Sequence, residues 1–108
     1  MYSFRLEDDE LILKKAMANL YVEREAYNGA LYLTTGRLVF VGYMMDIRRK
    51  YVADISLVHI KEIKPGKTFF VIPNVIQITT INGGTLKFIV DRRDEWVAAI
   101  SRQIDSVE

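Results

Sequence analysis

Gly29-Ala30-Leu31-Tyr32-Leu33-Thr34-Thr35-Gly36-Arg37-Leu38-Val39-Phe40 is the stretch whose reading decides the fold. Its residues are rich in β-branched and aromatic side chains and break only at Thr35-Gly36, which reads as two strands around a tight turn. Because side chains alternate between faces, loop length fixes which residues meet across the turn. A two-residue loop at Thr35-Gly36 sets Leu33 against Leu38 and Leu31 against Phe40. The apolar residues then share one face, as a half-buried hairpin requires.

Working outward, apolar residues between Leu11 and Ile89 mostly recur with period two, the strand signal. Around Asn82-Gly83-Gly84, a two-residue loop would set Ile78 against Lys87. A three-residue loop, with Gly in the left-handed position, instead pairs Thr80 with Leu86, Ile78 with Phe88 and Ile76 with Val90. Further strands are expected over Leu11 to Val22, Tyr51 to Val58 and His59 to Lys64, the last stopped by Pro65-Gly66. After Val90 the period changes. Trp96, Val97, Ile100, Ile104 and Val107 fall on one helical face, with Asp91 placed to cap the first turn and Asp94 and Glu95 placed where the helix dipole favours negative charge. The expectation is a mainly β domain over residues 1–108, with about seven strands between 11 and 90 and one C-terminal helix over about 91–106. A sheet with one apolar face must fold over to cover it, and the helix, led by Trp96, is the natural plug for the open end.

The composition agrees with one ordinary domain. The 108 residues are half apolar and about a quarter charged, with no Cys, and a chain of this size buries roughly two thirds of its unfolded surface without disulfides or metal. A formal charge of +1 argues against binding polyanions through the overall field, and no basic face with stacking aromatics marks a nucleic-acid binder. The first residues lack the basic-then-apolar pattern of a secretory signal. The longest apolar stretch, Leu38 to Met45, is far short of the about 20 residues that cross a membrane as a helix. A cytoplasmic protein, or one peripheral at the inner membrane surface, is expected.

The hairpin sequence Gly29 to Phe40 resembles the signature hairpin of GRAM domains, members of the pleckstrin-homology-like superfamily. Ala18-Asn19-Leu20-Tyr21 resembles the end of that family's first strand, Ile55-Ser56-Leu57-Val58-His59-Ile60 its segment of isoleucine, proline, leucine and then isoleucine, and Asp91 to Trp96 its helix entry. The resemblance runs from about Leu6 to Ile104; Ser56 replaces the usual proline, and Gly36 stands where a polar turn residue is more common. It implies a seven-stranded partial barrel of two near-orthogonal antiparallel sheets capped by the helix. It also implies a binding module, several relatives of which recognise phosphoinositides or other anionic lipids.

Catalysis is not expected, and neither is a cofactor. There is no Cys nucleophile, the one His, His59, sits in an apolar context suited to a half-buried strand residue, and no metal-ligand spacing occurs. The acidic run Glu7-Asp8-Asp9-Glu10 reads as a solvated turn. Charge is uneven in one place. Between Arg48 and Lys67, six basic residues (Arg48, Arg49, Lys50, Lys61, Lys64, Lys67) stand against Asp54 and Glu62. Arg48, Arg49 and Lys50, assisted by Lys64 and Lys67, are therefore the candidate anion-binding residues, and Met44 and Met45 the candidate apolar contacts with a membrane. Phe69 and Phe70 are candidates for a second wedge if their loop lies nearby, with at least one of them expected in the core. The loop Glu23-Arg24-Glu25 is net negative, which disfavours headgroup recognition there. The expected partner is an anionic membrane lipid or a protein, without nucleic acid; the alternative is an interaction or self-assembly domain, such as a homodimer, that uses a strand edge.

Overall fold

The computed structural model describes residues 3–44 and 49–107. Seven antiparallel strands run β1 (Ile12–Val22), β2 (Glu25–Thr34), β3 (Arg37–Met44), β4 (Lys50–Ser56), β5 (Ile60–Thr68), β6 (Ile72–Thr80) and β7 (Thr85–Val90), followed by α1 (Arg93–Val107). They form one continuous sheet in the order β4-β3-β2-β1-β7-β6-β5. The expected pair of crossed sheets is thus a single curled half-barrel. Its curl is readable in one cross-strand row on the concave face, Val90, Ala18, Gly29, Gly42 and Tyr51. A Cβ on Gly29 would lie 2.1 Å from the Val41 carbonyl oxygen, and one on Gly42 2.6 Å from the Phe40 ring. Only glycine permits so close an approach of β2 and β3.

The decisive hairpin forms as its parity demands, with Leu33 opposite Leu38 and Leu31 opposite Phe40. These four pack with Leu20, Ile76, Ile78 and Phe88 into the main core, sealed by Trp96 and Ile100 of α1, all 0–1% exposed. A second, smaller cluster lies on the convex face, where Phe4 of the N-terminal segment covers Ala30, Tyr32, Val39 and Val41. Phe4 meets the Tyr32 ring edge-on, with centroids 4.9 Å apart.

Four expectations are corrected. The β6–β7 loop has three residues, but they are Ile81-Asn82-Gly83: the Thr80 amide donates to the Gly84 carbonyl, and Ile78 faces Leu86 and Ile76 faces Phe88. Gly83, at φ +92°, must be the last loop residue because that is the left-handed position. Strand β5 runs through Pro65-Gly66 to Thr68; as an edge strand it can turn the proline nitrogen away from β6 without losing a ladder bond. Strand β4 ends at Ser56, and Leu57–His59 form a 3₁₀ turn, so His59 is exposed rather than a half-buried strand residue. Helix α1 starts at Arg93, not Asp91: the Arg92 carbonyl accepts from Glu95 and Trp96, and among the described residues no hydrogen bond joins Asp91 to that turn. Asp94 and Glu95 do occupy the first turn.

Candidate functional site

The strand register separates the predicted basic residues. Arg49 and Lys50 enter β4, at the end of the strands where β1 turns into β2. Arg49 is exposed and faces Glu25 at 3.6 Å, which offsets its charge, and Lys50 points out from the convex face. Met44 is half-buried against the main core, so it has little free apolar area. Beside it Tyr27 and Tyr51 stack with centroids 4.5 Å apart, and burial pushes the Tyr51 phenol pKa up, helped by Tyr27 and Glu23. Met45 and Arg48 lie outside the described residues.

Lys64 and Lys67 sit exposed on edge strand β5. Val75 of β6 pairs with Ile89 near the end of β7, so residues 72–73 and the β5–β6 turn extend past Val90. That is the direction opposite to the β1–β2 and β3–β4 connections, because β7 is antiparallel to β1. Phe69 and Phe70 therefore do not join the Arg49–Lys50 end.

Neither phenylalanine belongs to the core. Phe69 is 81% exposed, Phe70 93%, and Val71 and Ile72 follow at 71% and 47%. The turn is closed by the Val71 amide donating to the Thr68 carbonyl at 3.1 Å, and by the Thr68 hydroxyl donating to Asn74 Oδ1 at 2.6 Å. Phe69 and Phe70 occupy its two central positions with φ of 52° and 64°. Positive φ at both positions is the mark of a type I′ turn, which selects Asn and Gly. Two aromatic side chains here meet an unfavourable backbone region and gain no burial in return. The sequence signal was available in Phe69-Phe70-Val71-Ile72, where four consecutive apolar residues break the alternation.

The hairpin arm beneath this tip is anchored. Arg93, 9% exposed, donates from Nη1 to the Gly66 carbonyl at 2.5 Å and from Nε to Asp94 at 2.7 Å. The tip is thus held out from a braced base rather than hanging from a loose loop.

The strongest electrostatic feature is elsewhere. Arg37, at the start of β3, grips Glu10 through Nε and Nη2 at 2.7 and 2.8 Å, Asp54 through Nη1 at 2.7 Å, and the Arg5 carbonyl at 2.7 Å. The buried Thr34 hydroxyl donates to the same Glu10 carboxylate and accepts the Gly36 and Arg37 amides. The Arg37 bond, with help from Thr34 and the Glu7 backbone, lowers the Glu10 pKa to about 2 against the opposing effect of burial, and Glu10 in turn raises that of Arg37. Glu10 is therefore not part of a solvated turn; it ties the N-terminal segment to the β2–β3 hairpin. The adjoining cavity of about 280 Å³ is lined by Glu7, Asp8, Asp9 and Asp54. Among the described residues, no three His, Cys, Asp or Glu side chains are placed to hold a metal ion, and no helix is long and apolar enough to cross a membrane.

A family model described as the GRAM domain matches residues 1–106. No curated protein matches the chain. Among solved structures, the chain is similar to the C-terminal domain of an unknown protein from Leishmania infantum, with 21% identity, a TM-score of 0.71 and coverage of 88% of this chain and 84% of that one. It is also similar to the Vps36 N-terminal PH domain, with 11% identity, a TM-score of 0.71 and coverage of 95% and 85%. Both likenesses concern the fold.

Proposed function

From the premise that the chain belongs to the GRAM domain family, a group of PH-like domains that generally bind lipids or proteins, we propose that it is a non-enzymatic module making reversible, peripheral contact with an anionic membrane surface through its β5–β6 tip. One observation carries this reading: Phe69 and Phe70 are held almost fully exposed in a turn conformation that neither favours them nor buries them. Apolar groups at a tip with a cation set back along the arm suit an interface, since the rings dip below headgroups that Lys67 contacts, while Lys64, further down β5, adds to the local field. Arg49 and Lys50, at the other end of the strands, take no part.

Magnitudes keep the contact weak. Full burial of a Phe side chain gives about 1.5–3 kcal/mol, and each lysine near an anionic surface about 1 kcal/mol. Several kcal/mol of immobilisation then oppose the sum. The test is co-sedimentation with phosphatidylcholine vesicles, with and without phosphatidylserine, at low and high salt. Binding should require phosphatidylserine, weaken with salt, and fall about tenfold or more in a Phe69→Ser, Phe70→Ser variant. Equal sedimentation of that variant, or no binding of the natural chain to phosphatidylserine at low salt, refutes the proposal.

A further inference from the structure

The two edges of the sheet are built differently. Strand β5 carries Pro65, three exposed lysines over Lys61–Lys67 and two register shifts, which are devices that discourage pairing with another strand. Strand β4, Lys50-Tyr51-Val52-Ala53-Asp54-Ile55-Ser56, has no Pro or Gly and pairs with β3 in unbroken register. Among the described residues it hydrogen-bonds no other strand.

Which of its backbone groups are free follows from two bonds flanking that ladder. The Met44 amide donates to the Arg49 carbonyl at 2.9 Å and the Leu57 amide to the Gly36 carbonyl at 3.0 Å. Both lie in the β3–β4 register, so the odd-numbered residues of β4 face β3. The amides and carbonyls of Lys50, Val52, Asp54 and Ser56 therefore point outward.

We infer that β4 is a homodimerisation edge, pairing antiparallel with β4 of a second copy about a two-fold axis at Val52. In that register Val52 meets the partner's Val52, and Lys50 meets the partner's Asp54 on both sides. Each of these three residue pairs can exchange both backbone bonds, because the residues are the ones whose groups point outward. Opposite charges fall opposite each other, the half-exposed Asp54 carboxylate, which holds Arg37 through one oxygen, having its other oxygen for the partner's Lys50, and on the concave face Tyr51 lies beside the partner's Ala53, large against small. Sliding the register to centre on Ala53 sets Val52 against Asp54, and centring on Tyr51 leaves Asp54 without Lys50; the charge pattern selects the Val52 axis. Apolar surface is present at the axis too: Val52, at the free edge of the row Met17, Ala30, Val41, Val52 whose middle two residues are buried under Phe4, is 47% exposed. A self-complementary patch of this kind is the isologous contact of a two-fold dimer. It uses neither the tip nor its lysines, so it stands independently of membrane binding.

Sedimentation velocity from about 10 µM to about 1 mM tests it, a range suited to a small edge contact. The natural chain should dimerise across this range. Lys50→Glu and Asp54→Lys should each be monomeric, since each sets like charges opposite one another, and an equimolar mixture of the two should recover the dimer. Val52→Pro should also be monomeric with an unchanged circular dichroism spectrum, because it removes an amide that only the partner would use. If it fails to fold, Lys50→Glu, at an exposed side chain outside the Arg37–Glu10–Asp54 cluster, still decides the matter. A monomer at every concentration, dimers unaffected by Lys50→Glu, or a mixture that stays monomeric although both variants keep the natural circular dichroism spectrum overturns the inference.

Discussion

Replacing Phe69 with Asn and Phe70 with Gly should make the protein more stable while removing its membrane contact. The two side chains are 81% and 93% exposed, so their loss forfeits almost no buried apolar area. Their backbones sit at φ 52° and 64°, where an L-residue with a Cβ pays roughly 1 kcal/mol and Gly or Asn much less. The combined gain is about 2 kcal/mol. With a urea m-value of about 1–1.5 kcal/mol/M for a domain of this size, the midpoint should rise by about 1.3–2 M. A Phe69→Ala, Phe70→Ala control keeps the unfavourable backbone and should leave the midpoint within about 0.5 M of the natural chain. Chemical unfolding followed by Trp96 fluorescence reads all three. If the Asn-Gly variant is less stable than the natural chain, the phenylalanines hold the fold together and the argument from the tip collapses.

Glu10→Gln removes the charge that Arg37 grips. A fall in the Glu10 pKa from 4.5 to about 2 corresponds to roughly 3.4 kcal/mol, cut to about 2 kcal/mol by screening from the adjoining open cavity. Since the folded-state pKa is the lower one, this contribution is complete above about pH 5 and disappears as pH falls through 2; urea midpoints of the two proteins should differ at pH 7 and converge near pH 2, and a pH-independent gap would contradict the linkage. Gly29→Ala forces a Cβ to within 2.1 Å of a carbonyl oxygen and should cost at least about 3 kcal/mol or prevent folding, whereas Gly36→Ala, with nothing within 4 Å and no positive φ, should be neutral or stabilise by about 0.5 kcal/mol; thermal melts separate the two. Trp96→Ala, which empties the site of a side chain 1% exposed, should cost about 3–5 kcal/mol in the same melts.

The Leu33–Leu38 and Leu31–Phe40 pairs were legible because a two-residue turn leaves one parity that buries all four. The β6–β7 hairpin was legible only to within two residues, since sliding by two keeps every side chain on its face and hydrophobic pattern cannot tell the registers apart. What fixes it is the left-handed demand at Gly83, a property of backbone geometry. Pro65 looked like a stop because a sequence does not show which strands are edges. At least one of Phe69 and Phe70 looked like core because apolarity is normally a fair guide to burial, yet a three-residue turn at the end of a long hairpin offers nothing to bury against. Glu10 looked solvated because its partner lies 27 positions away. The candidate basic residues were individually exposed where described, but their grouping was not legible: it depends on which strands are neighbours, and the sheet order puts Lys64 and Lys67 on edge strand β5 and Lys50 on the opposite edge strand, β4.

The buried Arg93 guanidinium has a mechanical side. It clasps the carbonyl of Gly66, in the hairpin arm, from the first residue of α1, three positions before Trp96. The arm that carries Phe69 and Phe70 and the helix that closes the barrel therefore share a bonded contact, and removing the guanidinium would leave the Gly66 carbonyl without it.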